Sequence, residues 1–186
     1  MRKKVNNRIT RNNKRKQAGF TLIELIVAIG IMLVLAAVAT PFLLAHIKDA
    51  KVASLNEQIL NVKASFDSYF TKRGGILTDS DNDGDYLDEM INEGWLSGDP
   101  SKNDLTWTVK SYTDANGKTS YYIEITNGGD DGYAYIHPLA SDLDESIDGT
   151  DDSTNGRFQY NDDNTNKQFT GYYLLHADPG MNQWHS

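Results

Sequence analysis

The chain has 186 residues, with 18 basic and 26 acidic side chains, a formal net charge of -8 and no cysteine. That length holds one modest domain plus an extended element rather than two full domains, and the missing thiols exclude disulfide staples and thiolate metal centres. The charge is unevenly placed. Residues 1–19 carry eight basic side chains (Arg2, Lys3, Lys4, Arg8, Arg11, Lys14, Arg15, Lys16) and no acid, whereas beyond Gly74 five basic residues face 22 acidic ones. So acidic a surface repels nucleic acid, and no nucleic-acid partner is expected for it.

The basic stretch leads into FTLIELIVAIGIMLVLAAVATPFLLA, residues 20–45, whose one ionisable side chain is Glu24. As a helix this run rises roughly 39 Å, enough to cross a hydrocarbon core of about 30 Å. The preceding cations set the orientation, with residues 1–19 in the cytoplasm and the C-terminal part outside. A conventional secretory signal cut at Ala37-Val38-Ala39 is one reading. Glu24 argues against it, because a carboxyl group within lipid costs a few kcal/mol and persists where it has a partner.

The run Lys16-Gln17-Ala18-Gly19-Phe20-Thr21-Leu22-Ile23-Glu24-Leu25-Ile26 closely resembles the class III signal of type IV pilins and type II secretion pseudopilins. The resemblance implies cleavage between Gly19 and Phe20 by a prepilin peptidase and N-methylation of Phe20. It also implies a homo-oligomeric helical filament raised by a pilus or secretion assembly machinery. A glycine before the scissile bond suits a tight protease site, and Phe20 supplies an apolar first residue. In the assembled family the partner of the Glu24 carboxylate is the N-terminal amine of an adjacent subunit, a pairing that fixes subunit depth. Pro41 matches the family's proline at the outer end of the membrane segment, where it removes one backbone donor. Gly30 is a second weak point in the helix.

Past the membrane segment the helical signal continues. Val52, Leu55, Ile59, Val62, Phe66 and Tyr69 recur at spacings of three and four, the seam of an amphipathic helix, until Lys72-Arg73-Gly74-Gly75 ends it. The stripe suits packing on a sheet of the same chain; a coiled-coil dimer is the alternative. Residues 105–110 alternate apolar and polar, Asp114–Lys118 is a turn with an Asn-Gly step, and residues 121–125 alternate again, predicting a hairpin. Tyr133–His137, Arg157–Tyr160 and Phe169–His176 are further candidate strands. The expected fold class is α+β: a long N-terminal helix packed on a small antiparallel sheet, pilin-like. Its parts are a leader (1–19, removed), a transmembrane and filament-core helix (20–45), its amphipathic continuation (46–73) and an acidic, β-rich head (74–186).

The stretch Asp79-Ser80-Asp81-Asn82-Asp83-Gly84-Asp85 has the D-x-D-x-D-G spacing of calcium loops. Alternate carboxylates converge on one hard cation when glycine permits the sharp turn, and Asp85 can add a backbone carbonyl. The twelfth position, which an EF-hand fills with glutamate, is Met90, so Asp88 or Glu89 has to close a shorter loop around Ca2+. A second acidic group, Asp142, Asp144, Glu145, Asp148, Asp151 and Asp152, has irregular spacing and is expected to be a mobile solvated loop. The four histidines form no ligand pair, the tyrosines at strand spacing suit packing, and nothing marks a catalytic pair, so an enzyme is not expected. The sequence points to a filament subunit. The alternatives are a type II secretion pseudopilin and a membrane-anchored calcium-binding surface module.

Overall fold

A computed structural model describes residues 19–75, 77–181 and 183–185, so the expected basic leader up to Ala18 lies outside the described residues. The described residues fall into two compact units, one ending at Leu44 and the other beginning at Ala45. Helix α1, Leu22–Lys72, contributes to both.

In the first unit every described residue is exposed. Ile23, Ile26, Ile29, Leu33, Leu35, Val38 and Phe42 place apolar surface on all sides of the helix, which is long and apolar enough to cross a membrane. Pro41 lies inside α1 and cannot donate to the carbonyl one turn back. Just before it the Thr40 hydroxyl donates to the Ala36 carbonyl at 2.7 Å.

In the second unit α1 buries Val52, Leu55, Ile59, Val62, Phe66 and Tyr69, the predicted seam. The helix stops where the sequence places its glycines. Gly75 N donates to the Phe70 carbonyl at 2.9 Å, and Gly74 and Gly75 have φ of 69° and 84°, a conformation that glycine adopts without strain. A short helix α2, Leu87–Asn92, follows.

The sheet comprises β1 (Leu105–Thr113), β2 (Thr119–Asn127), β3 (Phe158–Asp163) and β4 (Gln168–Ala177), all antiparallel in the order β1-β2-β4-β3. The β1–β2 hairpin turns through Asp114–Lys118 as expected. The Asp114 carboxylate accepts from the backbone N–H groups of Asn116 and Lys118, and Gly117 takes φ 77°. Trp107 and Val109 of β1 and Ile123 and Ile125 of β2 share one core with the α1 seam. Tyr121 and Tyr122 are consecutive on β2 and so face opposite sides of the sheet, while the register shift beside them leaves Leu175 as an extra residue on β4. Tyr121 meets Phe66 and Phe70 of α1, with ring centroids 5.6 and 5.4 Å away, whereas Tyr122 meets Tyr172 and Trp184. The chain end is held there too, because the buried Ser120 hydroxyl donates to the Trp184 carbonyl at 2.6 Å.

Two expectations are corrected between β2 and β3. The candidate strand Tyr133–His137 is helical: α3 spans Asp130–Ile136, a 3₁₀ turn covers His137–Leu139, and α4 runs Ala140–Asp148. Tyr133, Ile136, Leu139 and Leu143 are all buried, a spacing of three and four that a five-residue window does not separate from strand alternation. Gly132 is required in α3 because a Cβ there would run into the Asp104 backbone. His137 Nδ1 lies 2.6 Å from Asp162 Oδ2 and 3.0 Å from the Tyr133 hydroxyl, tying this segment to β3. The second acidic group is likewise not a mobile solvated loop. Asp142, Asp144, Glu145 and Asp148 lie on α4, and Asp142 pairs with Lys48 of α1 at 2.7 Å. Asp144 is fully buried and accepts from Asp152 N at 2.7 Å, while Asp148 accepts from Phe158 N at 2.8 Å.

Candidate functional site

Two places carry residues that the fold alone does not explain: the start of α1 and the loop between α1 and α2.

At the start of α1, Gly19 and Phe20 precede the first helical turn, and Phe20 is 91 % exposed. Thr21 sits at the N-cap and Glu24 at the third helical position. Glu24 Oε2 accepts from Thr21 N and from the Thr21 hydroxyl, both at 2.8 Å, and Glu24 N donates to Thr21 Oγ1 at 3.3 Å. This reciprocal arrangement is a capping box, and it satisfies donors that a helix start otherwise leaves open. The T-x-x-E spacing that signals it is present in the sequence, although the sequence reading considered only the Glu24 charge. Within one chain, therefore, the carboxylate has a local partner and requires no second molecule to be satisfied. Pro41 lies well apart, near the end of the first unit, and is not part of this constellation.

The acidic loop is built by its own side chains. Asp79 accepts from Asn82 N at 2.6 Å and Gly84 N at 2.9 Å, and Asp83 accepts from Asp85 N at 2.8 Å. Asn82 and Gly84 take φ of 61° and 84°, the left-handed turn that asparagine and glycine tolerate. The Asp85 carboxylate is engaged outside the loop. It is held by Leu87 N at 2.9 Å and Val109 N at 2.7 Å, while Tyr86 N donates to the Val109 carbonyl, so Asp85 fastens the loop to β1. Burial raises its pKa, and those two donors oppose the rise.

The other acids converge. Asp79, Asp81 and Glu89 each offer a carboxylate oxygen within 4.8 Å of the other two, and Asp81, Asp83 and Asp88 form an overlapping set. Glu89 is buried, and its Oε1 accepts from Ser80 N at 2.7 Å and Ser80 Oγ at 2.8 Å. Burial works against ionisation of Glu89, but the Ser80 donors and the adjacent Asp88 carboxyl outweigh it and hold its pKa below the usual value. Asp88 moves the other way, pushed up to about 6 by burial and by Glu89 beside it. Met90 at the twelfth loop position is fully buried in the core, which turns Glu89 rather than residue 90 toward the loop. Ser80, which anchors Glu89, was not singled out by the sequence.

At its N-terminal end the described chain is thus a capped apolar helix preceded by Gly19 and Phe20. Residues 14–40 match the prokaryotic N-terminal methylation motif, the class III signal of type IV pilins and pseudopilins. This motif implies filament assembly and processing by a prepilin peptidase, and it fits a membrane-anchored structural precursor rather than an enzyme. No curated protein and no solved structure matches the chain.

Proposed function

We propose that the chain is a polymer-forming subunit of an extracellular or periplasmic type IV pilus-like filament, made as a precursor and cut between Gly19 and Phe20. The observation that carries this reading is the first unit of α1. It is apolar on every face and fully exposed in the single chain, so it needs lipid before assembly and other helices after it. The matched motif at residues 14–40 supplies the processing step that would free it from the leader.

On this reading the capping box has a second use. In the precursor Glu24 closes on Thr21. Once Phe20 is the first residue, a cationic amine lies one turn from the carboxylate, and in a filament the neighbour's amine comes within the same apolar core. Glu24 then exchanges a local cap for a charge pair between subunits, and a subunit at the wrong depth leaves both charges unpaired. A type II secretion pseudopilin would use the same chemistry.

The test is to determine the N-terminus of the mature protein by mass spectrometry and to image sheared surface material by electron microscopy. N-methylated Phe20 together with filaments of this chain is the expected result. A mature terminus at Thr40 would mean signal-peptide release, and an uncut chain would mean a simple anchor; either overturns the filament reading.

A further inference from the structure

We infer that the head carries one calcium site, formed by the carboxylates of Asp79, Asp81, Asp83 and Asp88 and closed by Glu89. This site is independent of the filament reading, since every ligand lies in the second unit.

An acidic loop alone would not carry this inference, because exposed carboxylates are content in water. Glu89 is the exception. It is only 4 % exposed, both donors from Ser80 fall on Oε1, and Oε2 is buried with no hydrogen-bond partner among the described residues. A buried carboxylate oxygen without a donor is costly. Its surroundings offer further acceptors instead, since Asp79 and Asp81 bring oxygens within 4.8 Å and Asp88 is its chain neighbour. Carboxylate oxygens gathered around a buried one are what a hard cation requires.

The donor set selects the cation. All candidate ligands are oxygens, and no nitrogen or sulfur ligand is in either converging set, which disfavours zinc and copper. The carboxylates come from an irregular turn and a short helix, so they suit the larger, irregular shell of calcium better than the strict octahedron of magnesium. The turn at Asn82 and Gly84 places Asp81 in both converging sets, with Asp79 in one and Asp83 in the other, and Ser80 orients Glu89 from behind, as an outer-shell partner does. Binding would fasten residues 79–83 to α2, and through Asp85 and Tyr86 to β1, the edge strand of the sheet.

The test uses the full chain in detergent micelles. Calcium chloride is titrated by calorimetry, and unfolding is followed by tryptophan fluorescence in calcium, magnesium or chelator. One calcium per chain is expected, with a melting temperature at least about 3 °C higher in calcium than in chelator, and with magnesium unable to reproduce the shift. Glu89→Gln and Asp83→Asn should each weaken calcium binding at least about tenfold. Asp83 is exposed and outside the core, so its variant reads the site even if Glu89→Gln folds poorly. Asp142→Asn, in the other acidic group, should leave binding unchanged. Equal melts in calcium and chelator, equal response to magnesium, or wild-type affinity in Asp83→Asn would each overturn the site.

Discussion

Between Leu22 and Leu44 helix α1 exposes apolar side chains on every face, whereas between Ala45 and Lys72 it buries six of them along one stripe. Both stretches obey the same backbone geometry; what differs is the solvent each surface is written for. The head half has found its apolar partner within the chain, in Trp107, Val109, Ile123 and Ile125 of the sheet. In the first half every described residue is exposed, and its polar features are confined to its ends: the Thr21–Glu24 cap, then Thr40 bonded back to Ala36. Head stability and membrane or filament chemistry should therefore be separable by mutation.

The largest expected effect is all-or-none and lies outside the head. Gly19→Val places a branched side chain beside the scissile bond and should abolish processing. The precursor should accumulate in the membrane fraction about 2 kDa heavier than the mature chain. Its head should still melt at the wild-type temperature. Normal-length mature protein in that variant would end the processing account.

The next effect runs the other way. All three tryptophans, Trp95, Trp107 and Trp184, lie in the second unit, so their fluorescence reads the head. Phe66 is fully buried, stacks on Phe70 and meets Tyr121 at a tilt, so Phe66→Ala should destabilise the head by about 3–5 kcal/mol. Leu33→Ala removes a similar apolar mass from the exposed half and should leave the fluorescence melt unchanged. Equal losses in the two variants would mean that the halves are not energetically separate.

Intermediate in size is Glu24→Gln. The amide can still accept from Thr21 and keep the helix start capped, so insertion and cleavage should be normal. It cannot pair with an amine by charge, so filament yield should drop by about tenfold or more. Filaments in normal number and length would mean that helix packing alone sets subunit depth.

The seam of α1, its glycine stop, the hairpin and the D-x-D-x-D-G turn were legible because each is a local pattern with one physical meaning. The six-residue stripe has the helical period over 18 positions, and Asn116-Gly117 marks its own turn. Residues 133–137 misled because YAYIH alternates over a window too short to separate the two periods. The longer register through Ile136, Leu139 and Leu143 settles it, and Gly132 against Asp104 is a contact that exists only in the folded chain. At the acidic loop the pattern gave the first three carboxylates and left Asp88 and Glu89 as alternatives for the closing one. It is α2 that turns Met90 into the core and brings a Glu89 oxygen near Asp79 and Asp81, a tertiary fact. Asp85 entered the pattern for its backbone carbonyl, and the bond of its carboxylate to Val109 N is a tertiary contact that no local spacing signals.

The smallest expected effect is a pH response that belongs to the head alone and rests on Asp144. This residue is fully buried on α4, with Oδ2 accepting from Asp152 N and Oδ1 lacking a hydrogen-bond partner among the described residues. Burial raises its pKa, the bond from Asp152 N opposes the rise, and the negative charges of Asp148, Asp151 and Asp152 add to it. Tyr160 of β3, itself pushed up to about 12 by burial and nearby acids, faces the same cluster and stays neutral in this range. A carboxyl group whose folded pKa exceeds its unfolded value of about 3.9 binds its proton more readily when folded. Its ionisation therefore penalises the fold at neutral pH, and the penalty fades as pH falls through the folded pKa toward the unfolded one. Asp144→Asn removes that ionisation while keeping an acceptor for Asp152 N. At pH 7.5 the variant should melt higher than wild type, on the order of 3 °C, and the gap should close as the pH approaches about 4. Asp81, Asp85 and Asp88 also titrate high, but they are common to both proteins and cancel in the difference. A pH-independent gap would show that the substituted amide acts through packing, and a variant less stable at every pH would show that the ionised carboxylate is needed where it sits.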